Sequence, residues 1–544
     1  MSRLSGLSLL AFFTLAAPLA AGDHLRELQT AAAQSKTAEW GHWGLDANKY
    51  STWGTHSNRL IPVYTFGIGL DAVRGKNSVY RTSAAIERLY GRVPEGTLNE
   101  QAEYCDQTDV YRLQKMAADA GKKYIVLIVF DGMDWQTTQA AAVYKSGKAY
   151  DQGRGAGLWF LDYRGVKTEF GFCVTAPHND LTDVDVNGQT VKNPGGKTPG
   201  GYDWRLGGQT PWAKSVDGQY LMGKNRLRPH PYTDSASAAA SLTCGIKTYN
   251  DAINVDFAGK QVEPIGQHLQ KRGYAVGVVT SVPISHATPA CAYANNVHRD
   301  DYQDLTRDLL GLSSVAHKSQ PLPGVDVLFG GGFGINAKED KGQGDNFVAG
   351  NKYLTAADLE TIDAARGGKY VVAQRTSGTR GRDVLAAGAR AAVQKKQRLL
   401  GFFGAVGGHL PFQTADGHYD PTVNSGGDGP KSAETYTPAD VEENPTLAEM
   451  TRAALEVLSH DQEGFWLMIE AGDVDWANHA NNIDNSIGAT LSGDDAFHVV
   501  VQWAEKNDRW HDTAVIVTAD HGHYLVLERP AMLAPPAQAA GGSR

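Results

Sequence analysis

With 544 residues and 42% apolar content, the chain can bury a large core, either as two or three domains or as one enlarged α/β domain with insertions. A net charge of -9 with no sustained Lys/Arg run excludes nucleic acid or an anionic membrane as the main partner. An anionic ligand would have to be held locally, by metals, arginine or helix ends.

Met1-Ser2-Arg3, the apolar run Leu7 to Leu19 and Ala20-Ala21-Gly22 have the three-part layout of a secretory signal peptide. Residues 1–22 are therefore expected to be removed, leaving a secreted or periplasmic chain that starts near Asp23. No later stretch reaches the roughly 20 apolar residues that a spanning helix needs, so no membrane partner is expected. Export permits disulfides among Cys105, Cys173, Cys244 and Cys291, but their spacing does not fix a pairing.

Residues 23–121, rich in Trp, Tyr, Gly and His as in Trp40-Gly41-His42-Trp43 and Trp53-Gly54-Thr55-His56, read as an N-terminal extension without an assignable role. Its helical piece, Leu113 to Ala120, stops at Gly121. The catalytic unit is expected over 122–544. Tyr124 to Phe130 is an apolar, β-branched run that predicts a strand buried on both faces, ending at Asp131-Gly132-Met133-Asp134. The arrangement recurs three times. Gly273 to Thr280 leads to His286-Ala287-Thr288-Pro289, Gly464 to Ile469 ends at Glu470, and Thr513 to Ala519 ends at Asp520-His521. Helical patterns fill the gaps, as in Glu263 to Lys271 and Leu447 to Leu458. The β-α-β-α order predicts an α/β fold with a mainly parallel central sheet, whose carboxyl rim binds ligands. Two polar stretches, 151–230 and 333–445, read as inserts. The first looks like loop or lid, and the second is built around a helical piece, Arg382 to Gln397.

Thr233-Asp234-Ser235 precedes an alanine-rich run that can stop at Cys244-Gly245. Ser235 is thereby set at a helix N-terminus, where unpaired N–H groups favour an anion. Asp475 and His479, four residues apart, share one helix face. With Asp131, Glu470, Asp520 and His521 they make four carboxylates and two imidazoles, which divalent cations would reconcile.

These motifs, with Gly245-Ile246-Lys247-Thr248-Tyr249-Asn250, resemble the signatures of the alkaline phosphatases, in that family's order, over about residues 122 to 525. The resemblance implies a three-layer sandwich and metal-dependent hydrolysis of small phosphate monoesters through a phosphoserine on Ser235. It implies Asp131, Asp520 and His521 around one zinc, Asp475 and His479 around the other, and Asp131, Glu470 and Thr288 around magnesium. It places Arg299 on the phosphate oxygens. His286 and Trp476 stand where members vary, and together favour zinc or cobalt over magnesium in the third site. The family has a further zinc-ligating His well downstream of the Asp-His motif. None follows here before Arg544, His523 being the nearby substitute, so the first zinc site lacks one expected ligand. Oligomeric state stays open, with a homodimer among the options. A phosphodiesterase of the same architecture is the alternative enzyme, and an inactive or metal-poor phosphate-binding truncated product the alternative outside enzymes. A sulfatase is disfavoured because Ser235-Ala236-Ser237-Ala238-Ala239 lacks the C/S-x-P-x-R context.

Overall fold

The computed structural model describes residues 23–227, 229–426 and 432–536. The expected signal peptide lies outside them. Ten strands form one sheet: β1 Ile61–Phe66, β2 Cys105–Asp106, β3 Tyr124–Phe130, β4 Thr168–Val174, β5 Ala275–Pro283, β6 Val327–Gly331, β7 Tyr370–Gln374, β8 Arg398–Phe402, β9 Phe465–Ala471 and β10 Thr513–Ala519. Their spatial order is β7-β8-β6-β5-β9-β3-β10-β1-β4-β2. The seven strands from β7 to β10 are mutually parallel, and β1 then runs antiparallel to both β10 and β4. Helices cover the sheet on two sides, giving an α/β three-layer sandwich. One layer joins Gly381–Lys395, Leu447–Leu458 and the long Ile483–Lys506; the other joins Thr108–Asp119, Ser235–Cys244 and Ala287–Cys291.

The central strands are buried along their whole length, as their unbroken apolar runs require. Their register matters more than their number. Phe130 on β3 pairs with Ala471 on β9 and with Ala519 on β10, and Glu470 pairs with Thr280 on β5. The strands therefore end nearly level, and the residues that follow them meet on one rim.

Three stretches differ from expectation. Residues 23–121 supply β1 and β2, so this region is built into the sheet. The stretch 151–230, read as loop or lid, contributes β4. The stretch 333–445, read as an insert around one helix, contributes the outer strands β7 and β8. The apolar run of β1, Ile-Pro-Val-Tyr-Thr-Phe, carries a proline. An antiparallel strand tolerates it at a position whose N–H the ladder does not need. Among the described residues no helix is long and apolar enough to cross a membrane.

Cys105 and Cys173 are register partners on β2 and β4, both buried, with their sulfurs 2.8 Å apart. In an oxidising medium the two thiols are expected to lose their hydrogens to a disulfide such as oxidised glutathione and join. Closing a loop between cysteines 68 residues apart would stabilise the fold by about 4 kcal/mol on a chain-entropy basis. Peptide mapping without reduction should recover the two cysteines in one linked fragment. Alkylation of all four thiols after such treatment would exclude the bridge.

Candidate active site at the carboxyl rim of the sheet

Ser235 opens the helix Ser235–Cys244. Asp234 caps it, its carboxylate accepting from the Ser237 N–H at 2.9 Å, and Gly245 ends it in a left-handed conformation at φ 69°. Every residue of this helix is buried, which its small side chains permit. Two further contacts fix the cap: Arg299 Nη1 donates to Asp234 Oδ2 at 2.9 Å, and the Asp251 N–H donates to the same oxygen at 3.1 Å. Burial opposes the Arg299 charge, but Asp234 holds its pKa above the ordinary value. The other guanidinium nitrogen lies 3.3 Å from His286 Nε2. Burial and then Arg299 push the His286 pKa down to about 3, so this imidazole is neutral.

Ser235 Oγ stands 3.2 Å from His521 Nε2 and 3.5 Å from Asp131 Oδ1, and those two atoms are 3.2 Å apart. Asp131 follows β3 and Asp520-His521 follow β10, so the level strand ends bring them together. Gly132, at φ 72°, turns the chain sharply after Asp131 and donates its N–H to Asp520 Oδ1 at 2.9 Å. Only glycine fits this position, because an added Cβ would meet the His523 ring at 2.8 Å. Asp131 Oδ2, Asp520 Oδ2 and His521 Nδ1 are buried without a hydrogen-bond partner. Burial, then the carboxylates of Asp520, Asp475 and Glu470, drives the Asp131 pKa well above the usual range.

A second cluster gathers on Asp475, in the helix Asp473–His479. His523 Nε2 lies 2.6 Å, His479 Nε2 3.4 Å and His56 Nε2 3.5 Å from Asp475 Oδ1. Burial opposes the charge of Asp475, yet His479, His523 and His56 hold its carboxyl well below the ordinary value. His56 is the residue that sequence reasoning missed. Its Nδ1 donates to the Thr233 carbonyl at 3.0 Å, and His479 Nδ1 donates to the Gly54 carbonyl at 2.6 Å. In the neutral rings both Nε2 atoms are then acceptors, yet they face each other at 3.1 Å beside a carboxylate. Two lone pairs at that distance repel unless a cation lies between them. Backbone carbonyls that fix the tautomer in this way are the usual outer support of metal-bound histidine. Two groups of side chains have ligand atoms close enough to hold an ion: His56, Asp475, His521 and His523, and Asp131, Asp520 and His521.

Glu470, at the end of β9, accepts from Thr280 Oγ1 at 2.5 Å, while its Oε1 and the Thr288 hydroxyl are buried without hydrogen-bond partners. Burial raises the Glu470 pKa to about 8. His56 reaches the site because β1 is antiparallel to β10: the residues just before β1 sit on the rim where the parallel strands end. Ser57 bridges Gly522 and donates its N–H to that carbonyl at 2.7 Å. The readable signal is a His five residues ahead of an apolar run, which marks a ligand only where the strand runs antiparallel to its neighbour.

The alkaline phosphatase family profile matches residues 211–533, more than half of the chain. The chain belongs to the alkaline phosphatase family. It is 30% identical over 329 residues to alkaline phosphatase of Escherichia coli K12, covering 58% of this chain and 63% of that protein. It is 26% identical over 395 residues to alkaline phosphatase 4 of Bacillus subtilis 168, covering 72% of this chain and 66% of that one. The structure of alkaline phosphatase from the Antarctic bacterium TAB5 aligns at 20% identity with a TM-score of 0.43, over 74% of this chain and 80% of that one. This chain thus spans less than two thirds of the Escherichia coli alkaline phosphatase. The family is metal-dependent, and the two His/Asp groups are this chain's candidates for holding metal.

Replacing His56 by Ala is expected to lower the divalent metal retained after dialysis by about one equivalent per chain. Plasma emission measures the metal, and an unchanged circular dichroism spectrum checks the fold. Retention of the full metal content would remove His56 from the ligand set.

Proposed function

We propose that this chain hydrolyses phosphate monoesters by attack of Ser235 Oγ on phosphorus, giving a phosphoserine that water then opens. The observation that carries this reading is the approach of the Ser235 hydroxyl to His521 Nε2 and Asp131 Oδ1 in a cavity that Arg299 also lines. The first-turn N–H groups of the Ser235 helix and the Arg299 guanidinium favour a dianionic phosphate in front of the hydroxyl. Asp234 holds the guanidinium by one edge and so orients its planar fork. Attack forms the Oγ–P bond and breaks the ester P–O bond, and the alcohol leaves with a proton. Water then cleaves Oγ–P, releasing phosphate and restoring the hydroxyl.

For the cations we propose zinc in the two sets that contain imidazole. Asp131, Asp520 and His521 form one set, and Asp475, His479 and His56 the other, with His523 held against Asp475. The oxygen-rich set of Asp131, Glu470 and Thr288 suits magnesium, with zinc or cobalt as alternatives beside His286 and Trp476. When bound, such ions supply the Lewis acidity that makes a serine hydroxyl nucleophilic and accommodates charge on a leaving oxygen. The burial-lowered pKa values of His56 and His523 leave both rings neutral, the form in which imidazole donates a lone pair. His56 takes the part expected of the family's downstream histidine. It comes from the stretch just before β1, upstream of the other ligands. The layout of residues 1–22 supports export as the setting.

Ser235→Ala is expected to reduce turnover of p-nitrophenyl phosphate at least about a thousandfold with metal content unchanged. Undiminished turnover would refute the nucleophile. Arg299→Lys, which loses the fork, is expected to raise the inhibition constant for inorganic phosphate about tenfold, read by competitive inhibition. Comparing rates on a monoester and the matching diester separates this reading from a phosphodiesterase.

A further inference from the structure

The cavity of about 510 Å³ that contains Ser235 and Arg299 is larger than a phosphate needs, and its remaining lining has a definite chemistry. Trp476 and Phe412 face it. Trp476 meets His409 and His286 edge-to-face, with centroids 4.9 and 5.8 Å away, and no described ring lies parallel on the indole. Phe412 packs against His409 at 4.4 Å. An indole that lines a cavity without a stacked partner has a face free for another flat ring.

Beyond Asp475, which belongs to the histidine cluster, the acidic lining is already paired. Glu434 also reaches the cavity, but both its oxygens lie 3.1 Å from His409 Nε2, and Tyr436 donates to Oε2 at 2.6 Å. His409 Nδ1 lies 2.5 Å from the Leu410 carbonyl and its Nε2 faces the carboxylate, so both ring nitrogens meet acceptors; burial opposes charge on His409, yet Glu434 raises its pKa. A cationic alcohol such as choline therefore finds no free carboxylate to complete a cage around it. Asn485 differs. It is only 4% exposed, lines the same cavity, and has a side-chain oxygen with no hydrogen-bond partner. A buried amide oxygen left unpaired costs on the order of 1–3 kcal/mol, which a donor on a ligand edge would offset.

We propose that the cavity beside Ser235 contains a nucleobase subsite, in which the base stacks on Trp476 and hydrogen-bonds the side-chain amide of Asn485, making nucleoside monophosphates the preferred substrates. The inference rests on the phosphatase reading above, and the reaction is the same: a nucleoside monophosphate and water become a nucleoside and phosphate.

Adenosine monophosphate, glycerol phosphate and choline phosphate should be compared as substrates of the metal-loaded protein. The expected kcat/KM favours adenosine monophosphate by about tenfold or more over the other two. In Asn485→Leu, that value is expected to fall about five- to tenfold, mainly through KM, while glycerol phosphate stays within about twofold. Phe412→Leu, which keeps apolar volume but removes the ring, serves as a second variant and should act in the same direction. Equal rates on all three substrates, a preference for choline phosphate, or a parallel loss on every substrate in both variants would overturn the subsite. Calorimetry of adenosine with the metal-loaded Ser235→Ala protein separates the two readings. Adenosine binding without hydrolysis of any ester by the wild type keeps the subsite and sinks the phosphatase; hydrolysis without adenosine binding does the reverse.

Discussion

Asp475 is where the electrostatic constraints of this molecule meet. One carboxylate oxygen lies within 4 Å of four imidazole nitrogens, from His56, His479, His521 and His523, on the wall of the cavity that holds Ser235. Two of those rings are locked by backbone carbonyls so that their lone pairs point at each other. Nearby, Asp131, Glu470 and Asp520 each keep a buried oxygen without a hydrogen bond. A fold does not gather such groups for its own stability, because each costs desolvation that no protein partner returns. Positive charge is the common requirement, and the surrounding architecture can be understood as the means of bringing these side chains to one place.

That architecture works through level strand ends. Parallel strands β3, β9 and β10 stop in register and release their next residues onto a common rim, while the antiparallel β1 approaches the same rim from its beginning. The site thus combines residues that follow strands with one that precedes a strand. The Ser235 helix adds its positive end, and Arg299 links the helix cap to the cavity. Small side chains let that helix sink fully into the core, so the hydroxyl is held by packing as well as by hydrogen bonds.

The four buried strands and the helices Ser235–Cys244 and Leu447–Leu458 were legible because long apolar runs with caps and glycine stops leave little freedom. Acids and histidines at strand ends were legible for the same reason, since a strand's end fixes the rim that its next residue faces. What escaped depended on pairing partners distant in sequence. β1 is a six-residue run with a proline, β4 hides in a polar stretch, and β7 and β8 flank a helix in what read as an insert. His56 escaped doubly: its strand went unrecognised, and its direction relative to β10 has no local signature. Its loop reads as packed aromatics, which it also is, for Trp53 and Tyr232 pack edge-to-face beside it.

The His56–His479 contact spans 423 positions. During vectorial synthesis the stretch that carries His56 is made long before its neighbours on β10 and the helix at Asp475. Until they arrive, β1 has no β10 edge to join, and the imidazole has no carboxylate beside it. Joining this rim is therefore a long-range closure, slow relative to the local strands and helices that precede it.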